Sequence, residues 1–174
     1  MSLELVKEVD LGQDTRTVTA TDIFTSDYDV YWVTINDLTS GYSLTNFSSA
    51  RFLNTSDTEI TNSNYDYAYF NATTYTTPFG QDKNTGQDKL TNFTLADANP
   101  EAPEYSFYVF NPMSSSSYTF IALDMMHSNT VNQGFYNNGI AVLKETTQVA
   151  GMSFTHTFAD QIFNGGTLRS YGFG

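Results

Sequence analysis

Residues 152–158 read Met-Ser-Phe-Thr-His-Thr-Phe, and this period of two constrains the fold more than any other feature of the chain. An extended strand sends successive side chains to opposite faces. Met152, Phe154, His156 and Phe158 are therefore expected on a core face, with Ser153, Thr155 and Thr157 in water. The same rhythm dominates the rest of the sequence, and convincing helical periodicity is absent. A chain of this kind must bury its apolar faces by packing sheet on sheet.

Turn residues divide the sequence into further strands. Leu3, Leu5, Val9 and Leu11 bracket the first, and Val18–Phe24 follows a turn at Gly12-Gln13-Asp14. Tyr28–Asn36 carries Tyr31, Val33 and Ile35 on one face and Val30 and Trp32 on the other, the pattern of a central strand covered on both sides. A turn at Leu38–Tyr42 leads to a strand over Ser48–Asn54, and Tyr65–Asn71 alternates tyrosines. Residues 72–103, broken by Pro78, Gly80, Gly86, Pro100 and Pro103, are expected to form long loops with one short strand at Leu90–Leu95. Tyr105–Asn111 and Tyr118–His127 flank a turn of Pro112-Met113 and four serines. Asn137-Asn138-Gly139 is a tight-turn signal before Ile140–Lys144, and Gly165-Gly166 turns into the last strand. About ten short strands at this spacing predict an all-β, two-sheet antiparallel sandwich. A jelly roll fits best, since it lets the first and last strands lie close.

With 174 residues the chain is expected to be one domain, 1–174, long enough to bury roughly 70% of its unfolded surface. It has no cysteine, so neither disulfides nor thiolate metal sites support the fold. Apolar mass comes largely from 14 Phe, 12 Tyr and one Trp, residues that suit pleated surfaces. The net charge of −12, with seven scattered Lys and Arg, argues against nucleic-acid binding and against anionic membranes. Met1-Ser2-Leu3-Glu4 does not begin a signal peptide, and no apolar run approaches the roughly 20 residues of a transmembrane helix.

Candidate chemistry is sparse. Nucleophilic catalysis needs a base, and the two histidines, His127 and His156, lie in no active-site motif. His156 reads as a buried strand residue and His127 as a strand-end residue. A carboxylate pair for glycoside hydrolysis cannot be chosen among Asp57, Glu59, Asp66 and Asp124 by spacing. Asp82-Lys83-Asn84-Thr85-Gly86-Gln87-Asp88 resembles half a calcium loop, but Phe93 stands where its bidentate glutamate belongs, so a polar surface loop is expected. Sequons at Asn46, Asn54, Asn71 and Asn92 reflect a composition rich in Asn, Ser and Thr. Tyr65, Tyr67 and Tyr69 are read as sheet or subunit-interface residues, with stacking on a host sugar the alternative. Gly165-Gly166 lacks the pattern of a phosphate-binding loop. These readings assign no catalytic, cofactor or metal residues and predict a non-enzymatic structural or binding module.

The two ends of the chain carry a resemblance. The opening Leu3-Glu4-Leu5-Val6-Lys7 and the closing Phe163, Gly166-Thr167 and Tyr171-Gly172, followed by Phe173, resemble small all-β virion proteins of tailed bacteriophages. The match covers about a fifth of the chain. What the resemblance implies is a jelly-roll-like structural protein on the virion exterior, made in the host cytoplasm. It would be a capsid decoration, cement or appendage protein, partnered by other virion proteins and by its own copies, preferably as a trimer. A tail-fibre or adhesin module binding a host-surface glycan is the alternative.

Overall fold

The computed structural model describes residues 2–40, 46–74, 79–95, 104–128, 134–158 and 161–174. Twelve strands run through them: β1 (Leu3–Asp10), β2 (Thr17–Ala20), β3 (Val30–Ser40), β4 (Asn46–Asn54), β5 (Tyr65–Thr73) and β6 (Gly80–Gln87). The second half contributes β7 (Leu90–Leu95), β8 (Glu104–Phe110), β9 (Thr119–Ser128), β10 (Gly134–Leu143), β11 (Val149–His156) and β12 (Phe163–Phe173). They form two antiparallel sheets packed as a sandwich. The larger has the order β1-β12-β3-β8-β9-β10-β5-β6 and the smaller β2-β11-β4-β7.

One core fills the space between the sheets. Tyr31, Val33 and Ile35 of β3, Phe107 and Val109 of β8, and Ile121, Leu123 and Met125 of β9 point inward from the large sheet. Val18 and Ala20, Ala50 and Phe52, and Met152 and Phe154 meet them from the small one. Register explains the match: Met152 lies opposite both Ala20 and Phe52, and Phe154 opposite Val18 and Ala50, so one layer of apolar side chains crosses three strands. The predicted core face of β11 is thus present for Met152, Phe154 and His156, all essentially unexposed. Phe158 departs from it, being 52% exposed just beyond the strand end. Ser153 departs in the other sense. It sits on the outer face yet is buried, because Arg51 across the ladder and Glu59 cover it, and its hydroxyl donates to Glu59 Oε1 at 2.8 Å.

The chain termini pair as expected: β1 runs antiparallel to β12, with Leu3 opposite Phe173 and Leu5 opposite Tyr171. Several local expectations need correction. Asn137-Asn138-Gly139 is no turn but the middle of β10, with Asn138 paired to Phe70 on one side and Asp124 on the other. Residues 72–103 hold two strands, β6 and β7, so the Asp82–Asp88 segment lies largely in a ladder with β5 instead of a loop. Gly165-Gly166 is an irregularity inside β12, with register shifts on both sides of Gly165 and φ of 132° at Gly166. Strand β3 continues through Leu38 to Ser40, bending at Asp37 (φ 57°), where a turn over Leu38–Tyr42 is expected; residues 41 and 42 of that turn lie outside the described residues. The strand expected over Val18–Phe24 stops at Ala20, after which Ile23 and Phe24 are buried as a plug beside Ala150. Left-handed turn positions fall on Asp14, Asp22, Asp37, Asp57 and Asn111, residue types that adopt positive φ at least cost.

Candidate functional site: the open face of the large sheet

Only one face of the eight-stranded sheet meets the core. On β3 the outward residues Val30, Trp32 and Thr34 are half-buried by their neighbours in the same sheet, so the second covering layer expected from the sequence is absent there. Register assembles the outward side chains into rows. Leu3, Phe173, Val30, Phe110, Phe120 and Val142 form one, and Leu5, Tyr171, Trp32, Tyr108, Ala122, Ile140 and Ala68 the next. With strands spaced about 4.8 Å apart, these rows cross roughly 30 Å of sheet. Several members are well exposed: Leu5 is 52%, Phe120 45% and Ile140 66% accessible. A soluble monomer seldom shows a contiguous apolar band of several hundred Å² without using it.

Two depressions differ in chemistry along this face. The first, about 460 Å³, lies over β8, β9, β10 and β5. Ala68 and Ala122 are its low points, Phe110, Phe120, Ile140 and Val142 its apolar walls, and Asp66 and Lys83 its polar edge. Asp66 is held by Lys144 Nζ at 2.8 Å and by the Gly86 N–H at 2.7 Å, which together keep its carboxyl below the usual carboxylate range. The second, about 480 Å³, lies over β12, β3 and β8. Its aromatic side is Trp32 stacked on Tyr171, ring centres 5.4 Å apart, and its other lining includes Thr34, Asn36, Glu104, Ser106 and Arg169.

The residues singled out from the sequence fall elsewhere. Tyr65, Tyr67 and Tyr69 are core residues, 0%, 5% and 4% exposed, so they offer no sugar platform. Tyr65 Oη accepts from the Phe52 N–H and donates to the Ile60 carbonyl, both at 3.0 Å, and burial pushes its ionisation far up. Glu59, Asp66 and Asp124 lie in three separate places: Glu59 binds Arg51 and Ser153, Asp66 binds Lys144, and Asp124 stands on the open face beside Asn138. Asp57 occupies a left-handed turn position. In the segment that resembles half a calcium loop, Asn84 donates to Asp82 at 3.0 Å while Asp88 turns away to Arg51, at 2.5 Å. Asn54 uses its side-chain oxygen to accept from the backbone of Ser56 and Thr58, a turn-forming role. Asn71 pairs Gly80 within the ladder, and the side chains of Asn46, Asn92 and His127 lie outside the described residues.

His156 is fully buried beside Phe163, ring centres 4.3 Å apart. Burial pushes its pKa down to about 4, with the Ile162 carbonyl opposing and Arg16 adding to the shift. It is a neutral core residue at physiological pH. Two of the cations near it are engaged: Arg16 donates to the His156 carbonyl at 3.2 Å, and Arg51 clamps Glu59 and Asp88.

Sequence reasoning missed both depressions. Trp32 and Tyr171 are 139 positions apart, and only the β3–β12 register places them side by side. The available signal was Trp32 itself, a large aromatic out of phase with the buried Tyr31, Val33 and Ile35. No family model and no curated protein matches this chain.

Proposed function

We propose that this protein is a non-enzymatic structural component of a tailed-phage virion, displayed on the particle exterior as a decoration, cement or appendage protein. The open face of its large sheet would be the surface through which copies meet each other and the particle. The observation that carries the reading is the double apolar row from Leu3 and Leu5 across to Val142 and Ile140 on a chain of net charge −12. Acidic charge keeps copies soluble and apart until a specific apolar surface brings them together. The terminal strand sequences, paired as β1 and β12, support the same reading through their resemblance to virion proteins.

The sandwich would be a jelly roll with two additions. In a jelly roll, eight strands wind between two four-stranded sheets as a doubled-over ribbon. The order β1-β12-β3-β8 in one sheet and β2-β11-β4-β7 in the other supports that reading, with β9-β10 and β5-β6 as hairpin-like additions that widen one sheet. The additions carry Ile140, Ala68 and Ala122 and so create the apolar depression. Cyclic symmetry closes a surface of this kind without leaving sticky ends, and a trimer is preferred because the resemblance to virion proteins implies that number.

Two measurements test this reading: light-scattering mass at neutral pH, and co-sedimentation with assembled heads or tails of a phage encoding the protein. A trimer that binds particles is the expected result. A monomer that ignores both heads and tails would sink the proposal.

A further inference from the structure

We propose that the depression bounded by Trp32, Tyr171, Asn36 and Glu104 is a binding site for a neutral sugar residue of a glycan. Trp32 and Tyr171 also belong to the apolar row of the proposed assembly face, so the two readings are told apart through Asn36 and Glu104, which lie in neither apolar row. Its volume of about 480 Å³ falls in the range typical of small-ligand sites, about 300–1,000 Å³.

The arrangement suits a pyranose. One side of a sugar ring presents C–H groups, which settle against the electron-rich face of an aromatic ring. Trp32 and Tyr171 supply that aromatic side, and Trp32 is fixed in place because its Nε1–H donates to Ser106 Oγ at 2.7 Å. Accepting that bond leaves the Ser106 hydroxyl its own proton to donate. Small polar residues, Thr34 and Ser106, occupy the row of the sheet beyond the aromatics. Asn36 and Glu104 follow in the next row, so hydroxyls along the sugar edge meet an amide and a carboxylate, groups that serve as donor and acceptor.

Charge selects the ligand class. Arg169 borders the depression, but its Nε is held by Glu8 at 2.7 Å, and Glu104 places an exposed carboxylate at the other side. On a chain of net charge −12 this repels sulfated, phosphorylated or uronic sugars and leaves neutral hexoses and N-acetylhexosamines. In the depression over Ala68 and Ala122 the polar residues keep to one edge, at Asp66 and Lys83, and the remaining walls are apolar, which suits a partner's side chain instead.

Trp32 is the single tryptophan of the chain, so its fluorescence reports directly on the site. The test titrates the purified protein with chitohexaose, cellohexaose, maltohexaose and a manno-oligosaccharide up to about 10 mM, the weak end of specific recognition. A saturable emission change with at least one of them is expected, with affinity falling about tenfold or more in Asn36→Ala and in Glu104→Gln. Both variants alter outward side chains, and unchanged melting temperatures would verify their folds. No saturable change with any of the four overturns the assignment, and so does a change that survives both substitutions. Particle co-sedimentation by the same variants separates the two proposals, since loss of sugar binding leaves assembly intact.

Discussion

Gly139 of β10 lies directly across the ladder from Tyr69 of β5, and the tyrosine ring occupies the space that a side chain at 139 would need. A Cβ built on Gly139 collides with the Tyr69 ring and with the Ala68 carbonyl oxygen. The glycine is therefore required by packing in mid-strand, and its φ is not in the left-handed region. Gly139→Ala should destabilise the protein by about 2 kcal/mol, the usual scale of overpacking. Urea unfolding measures it, and a wild-type midpoint would show that the ladder relaxes around the methyl group.

Tyr65 ties the two sheets together through its hydroxyl. It stands on β5 of the large sheet, accepts from the Phe52 N–H of the small sheet and donates to Ile60 in the connection between them. Tyr65→Phe keeps the ring but leaves a buried backbone N–H and a carbonyl without their partner, a loss of about 1–3 kcal/mol. The change in chemical denaturation midpoint should match that range, and amide exchange at Phe52 should accelerate. Unaltered exchange at Phe52 would mean that another acceptor takes over.

How far these features were legible depends on whether their causes were local. The faces of Met152, Phe154 and His156 followed from alternation alone, because pleat geometry acts on each residue without regard to the rest of the fold. Asn138-Gly139 was misread for the opposite reason. The dipeptide favours tight turns locally, but pairing on both edges and the Tyr69 ring outweigh that preference. Ser153 was placed in water because its acceptor, Glu59, is 94 positions away and nothing in the alternation announces it. The eight-stranded sheet was unreadable as such, since β5-β6 and β9-β10 join its edge through long-range register. Its open face, and with it the Trp32–Tyr171 pair, was invisible for the same reason.

His156 should set part of the acid sensitivity. Its pKa is depressed from 6.5 to about 4 in the folded protein, so between those values the unfolded chain binds the proton that the folded one refuses. The stability this represents is intact above about pH 6.5 and is lost as pH falls toward 4, by about 3 kcal/mol at the lower end. Among the described residues, Phe163, the Ile162 carbonyl and the Arg16 guanidinium act on it, Arg51 and Lys89 line the same depression, and none of these is a carboxylate that would welcome the charge. In His156→Leu this part of the acid limb should disappear. Unfolding free energies compared at pH 7 and pH 4.5 for both proteins give the answer, and an equal drop in both would refute the assignment.

Ile140 offers the sharpest separation of folding from assembly. It is 66% exposed on β10, two strands in from the β6 edge of the widened sheet and beside Ala68 and Ala122, so it contributes little to the core of an isolated protomer. Ile140→Lys places a charge where the proposed interface must exclude water, and desolvating that charge costs far more than the lost apolar contact. The folded protomer has no such cost, because a lysine there extends into solvent. The expected outcome is an unchanged thermal midpoint measured at low protein concentration, together with a shift of the light-scattering mass toward the monomer. Ile140→Val, which keeps the surface apolar, should retain the wild-type mass. If the lysine variant keeps the same oligomer, copies meet through another surface and the open face belongs to a different partner.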